Sequence, residues 1–263
     1  MKTIYESILS STRTGKAGIE DAMRQYGLDS AKATLNADGV IDYKGDVRLA
    51  GKGFTKLPFK FGAVHGSFDC KQNNLTTLDG CPVIVNGNFD CSSNNLVNLK
   101  GGPKQVGGSY YCYRNKLTSL EGAPNEVNVL FTCAYNELTS LKHCPQIIKG
   151  AFYCYNNNLT SLKGSPEQVG SAFDCSYNKL ASLDDSPNDV GGVFMCTNNS
   201  LTSLEGGPEQ VGGGFNCSDN KLTSLKGLPK KLSSNLYCYN NQSKFTVEDV
   251  LKVCKISRKN INI

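Results

Sequence analysis

FYCYNNNLTSLKGSPEQV, residues 152–169, decides the fold, because the same string recurs with few changes every 21 residues along most of the chain. Nine of the twelve cysteines stand at Cys70, Cys91, Cys112, Cys133, Cys154, Cys175, Cys196, Cys217 and Cys238, each 21 residues after the last. The asparagine three residues on does not vary: Asn73, Asn94, Asn115, Asn136, Asn157, Asn178, Asn199, Asn220 and Asn241. Eight of the nine prolines keep the same step, from Pro82 to Pro229. A fixed period of this length marks a solenoid, in which no coil can bury its own apolar face and each depends on its neighbours.

Side-chain direction gives the anatomy of one coil. In the segment x-F-x-C-x the residues alternate, so Phe152 and Cys154 point into the core while Tyr153 and Tyr155 point out, and successive segments pair as parallel strands. Leu159, Leu162 and Val169 close the apolar wedge. The asparagine side chain is expected to bond backbone groups at the turn and to stack on its equivalents in adjoining coils. Glycine pairs before the strand, such as Gly107-Gly108 and Gly191-Gly192, allow a tight corner.

The pattern F-x-C-x-x-N-x-L-x-x-L-x-x-x-P-x-x-V resembles the leucine-rich repeat, with Phe and Cys where two of its leucines usually stand. It is most similar to the short bacterial type found in secreted effector proteins, lengthened here by one residue per coil. The resemblance implies a solenoid of about ten coils with a parallel β-sheet on one face. Val47, Leu49, Phe54, Leu57 and Val64 fit a degenerate first coil, in which Lys52 replaces the asparagine. Ser243 and Thr246 replace the leucines of the last one.

Both ends of such a stack must be covered. Residues 33–46 read as a capping β-hairpin turning at Ala37-Asp38-Gly39, followed by the repeats over 47–245. Thr246 with Glu248 and Asp249 signals a helix start, and Val247, Val250, Leu251 and Val253 supply an apolar face, so 246–263 reads as a helical cap with a basic, solvated tail. Residues 1–32 form a separate segment with one helix near Gly18–Tyr26, after the Ser/Thr-rich stretch at Ser10–Thr14.

Twelve cysteines invite chemical readings. Adjacent strands lie about 4.8 Å apart, but parallel Cβ vectors do not make the approach of about 3.8 Å that a disulfide needs. A metal requires ligands converging on a point, whereas a ladder spreads its sulfurs along a line. A nucleophilic thiolate needs an adjacent base, and His65 and His143, the two histidines, lie outside the ladder strands. The cysteines therefore read as small core hydrophobes; no catalytic residue, metal or cofactor is expected. Cys81 and Cys144 precede equivalent prolines three coils apart.

What remains is the outward surface. Beside the ladder cysteines stand Tyr111 and Tyr113, Tyr153 and Tyr155, Asp174, Met195, and Tyr237 and Tyr239, with Tyr135 and Tyr177 one position further on. Eight of twelve tyrosines thus project from the strand face. Tyrosine offers apolar area and a hydroxyl at low entropic cost, which suits a partner-binding patch; the competing reading is an aromatic ladder that merely stabilises the sheet. A threonine row (Thr76, Thr118, Thr139, Thr160, Thr202, Thr223) could order water as ice-binding surfaces do, but Val97 and Ala181 interrupt it. A charged row from Asp79 to Lys226 mixes signs and reads as a solvated edge.

A net charge of +5, with both signs interleaved, is no nucleic-acid footprint, although tyrosines could stack on single-stranded bases. The absence of a run of roughly 20 apolar residues and of a secretory signal points to a cytoplasmic location without membrane contact. From Met1–Leu9 (MKTIYESIL) through Lys56–Gly62 (KLPFKFG) into the coils, the chain resembles leucine-rich-repeat proteins of large tailed bacteriophages. Met1–Leu9 is also similar to short peptides that direct phage internal proteins into the prohead. Two readings follow: a non-enzymatic module binding a host or phage protein through the tyrosine face, with no small-molecule substrate, or a structural component packaged in the virion.

Overall fold

The computed structural model describes residues 16–263; Met1–Leu9 and the stretch Ser10–Thr14 lie outside the described residues. Helix α1 (Lys16–Gln25) and a short 3-10 turn (Ser30–Lys32) precede a hairpin of β1 (Ala33–Leu35) and β2 (Ile41–Tyr43), paired antiparallel from Ala33–Tyr43 to Leu35–Ile41. Ten coils follow, their ladder strands starting at Val47, Phe68, Phe89, Tyr110, Leu130, Ala151, Phe173, Phe194, Phe215 and Leu236. These strands pair in parallel with a constant shift of one period, as in Phe152 with Phe173 and Tyr153 with Asp174.

The inward positions form the core. The Phe column, with Tyr110 and Leu236 as substitutes, is buried together with all nine ladder cysteines and both leucines of each complete coil. Its rings pack directly on one another, with centroids 5.9 Å apart for Phe68–Phe89 and 5.0 Å for Phe194–Phe215. All twelve cysteines are free and buried. Burial holds the thiols of Cys112, Cys154 and Cys175 well above their usual range. Several thiols point at the next coil's carbonyl, Cys112 Sγ lying 3.2 Å from Thr132 O and Cys175 Sγ 3.4 Å from Met195 O. A small side chain with a weak S–H donor fits this narrow place between stacked coils.

The asparagines tie coils together. Asn157 Nδ2 donates to the carbonyls of Cys154 in its own coil and Cys133 in the preceding one, both at 3.0 Å, while its Oδ1 accepts from Leu138 N at 3.0 Å. The pattern repeats in each of the nine coils that carry the asparagine. In the first coil, where Lys52 replaces asparagine, Asn73 reaches back to accept from the Lys52 and Phe54 backbone N–H groups.

Two features extend the architecture beyond one strand per coil. Residue pairs such as Gln168–Val169 and Asp189–Val190 form a parallel sheet of five strands, and Phe61–Val64, Ile84–Val85 and Gln105–Val106 form a second one that the hairpin brings to five, so the position read as closing the wedge is itself a strand. The hairpin joins this second sheet through β2, which pairs with Phe61–Val64. The glycine of this side is demanded by close approach: a Cβ on Gly191 would stand 2.3 Å from Gly170 O.

At the C-terminus, Thr246 and Asp249 make a reciprocal capping box that starts helix α2 (Val247–Val253). The basic tail is not a continuing helix face. After Cys254 the chain forms a bridge from Lys255 to Lys231, a 3-10 turn (Arg258–Asn260), and a strand (Ile261–Asn262) paired on Leu236–Tyr237, an eleventh member of the ladder sheet. Ile256 and Ile261 pack against the core, and Arg258 pairs with Glu248 at 2.8 Å, so apolar burial and an ion pair hold the tail on the stack.

Candidate functional site

Three outward rows define the ladder-sheet surface: the residues before and after each cysteine, and the residue preceding each Phe. In the first two rows Tyr111, Tyr113, Tyr153, Tyr155, Asp174, Met195 and Tyr237 are half-buried, and Tyr239 is exposed. Tyr155 packs edge-on against Tyr135 at 5.4 Å and tilts against Tyr153 at 6.2 Å. The Arg114 guanidinium sits 5.4 Å from the Tyr135 ring centroid. These four side chains, Arg114, Tyr135, Tyr155 and Tyr153, form one continuous group across coils four to six.

Tyr237 and Tyr239 are a separate pair, 6.5 Å apart, and Asn235 Nδ2 donates to the Tyr237 hydroxyl. Four strand steps, about 19 Å, separate Tyr237 from Tyr153. Asp174, Met195 and Asn216 occupy the strands between. The ten residues therefore divide into a main cluster around Tyr153 and Tyr155 and an outlying pair at the C-terminal end.

The third row was not visible as part of the surface in the sequence. It reads Ser67, Asn88 and Ser109, then Leu130, Ala151, Ala172 and Val193, then Gly214 and Asn235. Polar or small residues thus give way to apolar ones in coils five to eight only, beside the tyrosine cluster. Val193, at 39% exposure, is among the more exposed apolar residues. The ladder strands of the two central coils also begin one residue early, as Leu130–Thr132 and Ala151–Tyr153. Arg114 belongs to the same surface; its signal in the sequence is its place two residues after a cysteine, equivalent to Tyr135 and Tyr177.

That position has a backbone peculiarity. Gln72, Ser93, Arg114, Tyr135, Asn156, Tyr177, Asn198, Asp219 and Asn240 are all left-handed, with φ between 53° and 55°. Left-handed backbone costs an L-residue roughly 1–2 kcal/mol, least for Asn and Asp. Four coils carry Asn or Asp there, whereas Arg114, Tyr135 and Tyr177 place long side chains on the costly conformation and hold them outward; Tyr135 and Tyr177 are 44% and 53% exposed.

The electrostatics of the surface are uneven. Lys71 pairs with Asp69 at 3.1 Å and Asp90 at 3.4 Å, and these bonds, Asp69 first, raise its affinity for its proton. Burial raises Asp174 above the usual carboxylate value of 3.8, against the hydrogen bonds of Ser176. Burial also raises the Tyr155 hydroxyl, with Tyr135 and Asp174 adding to the effect. Among the described residues no group of three or more His, Cys, Asp or Glu side chains is arranged to hold a metal ion, and no helix is long and apolar enough to cross a membrane. His65 and His143 both lie exposed, away from the cysteine ladder.

Repeat, ladder sheet and asparagine column together define a solenoid of the leucine-rich-repeat type. No protein-family model matches the sequence, and no curated protein matches it. Among solved structures, the chain is similar to YopM from Yersinia enterocolitica WA-314, at 18% identity and a TM-score of 0.47, over 76% of this chain and 54% of that one. The chain therefore spans about half the length of that protein.

Proposed function

We propose that the chain is a non-enzymatic protein-binding module that engages its partner through the ladder-sheet face of coils four to eight. The observation that carries this reading is the coincidence of three features on one rigid sheet: the Arg114–Tyr135–Tyr155–Tyr153 cluster, the adjoining Leu130, Ala151, Ala172 and Val193 row, and large side chains kept at left-handed positions. Binding surfaces concentrate aromatic and Arg side chains around an apolar centre. An aromatic ladder serving the sheet alone would need neither the apolar row beside it nor the long side chains on left-handed backbone.

The resemblance of MKTIYESIL and KLPFKFG to tailed-phage proteins supports a viral source, with a host or phage protein as partner in the cytoplasm. Replacing Tyr111, Tyr113, Tyr153 and Tyr155 together by Ala should abolish capture of the partner from host lysate and leave the circular dichroism spectrum unchanged. Undiminished capture by that variant would move the contact surface elsewhere. The packaged-virion reading rests on Met1–Leu9; mass spectrometry of purified particles separates it, since a host-directed factor should be missing from them.

A further inference from the structure

The partner's chemistry is marked by one carboxylate. Each other acid on the ladder-sheet face is answered from within the chain: Asp46 by Arg48, Asp69 and Asp90 by Lys71, and Asp219 by the Asn240 amide at 2.9 Å and the Thr197 hydroxyl at 3.4 Å. Among the described residues Asp174, like Asp219, has no cation, and unlike Asp219 it accepts only from Ser176 within its own turn, the backbone N–H lying at 2.9 Å. It is half-buried, between Tyr153 on one neighbouring strand and Met195 on the other, and close enough to Tyr155 to influence its hydroxyl.

The turn does not explain the charge. In coil nine Asn216 occupies the equivalent position and accepts from Ser218 N at 3.1 Å and from the Ser218 hydroxyl at 2.7 Å, so a neutral amide performs the same local task. A partly desolvated anion without a counter-ion is costly and is relieved by an incoming cation. Aromatic faces beside it add attraction for the same cation. The surface already displays that geometry once, where the Arg114 guanidinium lies over Tyr135.

We infer that coils six to eight receive a cationic side chain, arginine or lysine, projecting from an otherwise apolar segment of the partner protein. Asp174 serves as its counter-ion, Tyr153 and Tyr155 as its aromatic walls, and Ala151, Ala172 and Val193 as the bed for the flanking apolar residues. The inference rests on the ladder-sheet face being the contact surface, and it adds the charge and type of the group bound there.

The test uses a random twelve-residue peptide library displayed on yeast and selected on the full chain, with counter-selection on a Tyr153→Ala/Tyr155→Ala chain. Peptides that depend on the two tyrosines should share an arginine or lysine at one position. Resynthesis with citrulline, the uncharged isostere of arginine, should weaken such an arginine peptide tenfold or more. Asp174→Asn should weaken the arginine peptide by a similar factor and leave the citrulline peptide unaffected; coil nine shows that the amide is compatible with the fold. Tyrosine-dependent peptides without a shared cation, or equal affinity for the natural and Asp174→Asn chains, would overturn this inference while leaving the contact surface in place. A library that yields no tyrosine-dependent binder would overturn both.

Discussion

Tyr110 occupies the column that elsewhere holds phenylalanine, and its hydroxyl is buried without a hydrogen-bond partner. Burial raises this phenol well above its usual range, with the Cys91 thiol the next contributor. Leaving a buried hydroxyl unpaired costs about 1–3 kcal/mol. Tyr110→Phe removes that cost and leaves an oxygen-sized void of roughly 12 Å³, worth about 0.3 kcal/mol at the usual cavity coefficient. The expected net gain is about 1–2 kcal/mol, or a rise in Tm of a few degrees for a chain of this size. A Cβ on Gly102 would meet Tyr110 Oη, Leu78 Cδ1 and Leu99 O, each at 3.0 Å, and the next coil, which has Phe131 in place of Tyr110, carries Ala123 at the equivalent place. Gly102→Ala should therefore destabilise the natural chain by crowding the hydroxyl, and should be tolerated or favourable when combined with Tyr110→Phe. Urea unfolding of the two single variants and the double variant forms a thermodynamic cycle, with a coupling of about 0.5 kcal/mol or more expected. A lower urea midpoint for Tyr110→Phe at unchanged slope would refute the reasoning, since it would mean that the hydroxyl is satisfied.

The asparagine column should be the most sensitive polar feature. Asn157→Ala removes three bonds at 3.0 Å in a buried setting and should cost about 3–5 kcal/mol, whereas Asn241→Ala, half-buried in the last coil, should cost about 1–2 kcal/mol; equal urea midpoints for the two would contradict the ladder. Asp174 should show the opposite sign. Its folded-state proton affinity is raised above 3.8, so the folded chain holds that proton more tightly than the unfolded one and stability is lost as pH rises through this window. Asp174→Asn should therefore raise the urea midpoint at pH 7, with the gain shrinking as pH falls below the unfolded-state value of about 3.9, where the carboxyl becomes neutral in both states. Asp46, held low by the Ser67 backbone N–H, loses its contribution in acid in both chains alike. A midpoint difference independent of pH would show that the charge of Asp174 is not what matters.

The ladder was legible because the 21-residue period fixes residue identity as well as spacing: a column of Phe, Cys and Asn leaves one assignment of inside and outside. The second pair of sheets was not, because strands of two residues, such as Gln168–Val169, are too short to show alternation. Their hydrogen bonds run only between coils, so a single valine per coil looked like simple wedge closure. The apolar row from Leu130 to Val193 was hidden for a related reason. Its direction depends on where each strand begins, and coils five and six begin theirs a residue early.

The left-handed position was concealed most completely, and the reason bears on function. A left-handed residue is ordinarily announced by Gly or Asn, yet here Gln72, Ser93, Arg114, Tyr135 and Tyr177 share the conformation with Asn156, Asn198, Asp219 and Asn240. The following asparagine side chain, bonded to the carbonyls of its own and the preceding coil, holds the turn whatever stands before it. Because the turn is over-determined from outside, the residue within it is released from making it. Selection is then free to place an arginine or a tyrosine there, on a backbone anchored at every coil, which is the rigidity a recognition surface needs to keep its ordering cost low. The conformation that obscures the position in the sequence is thus the one that makes it suitable for presenting side chains to a partner.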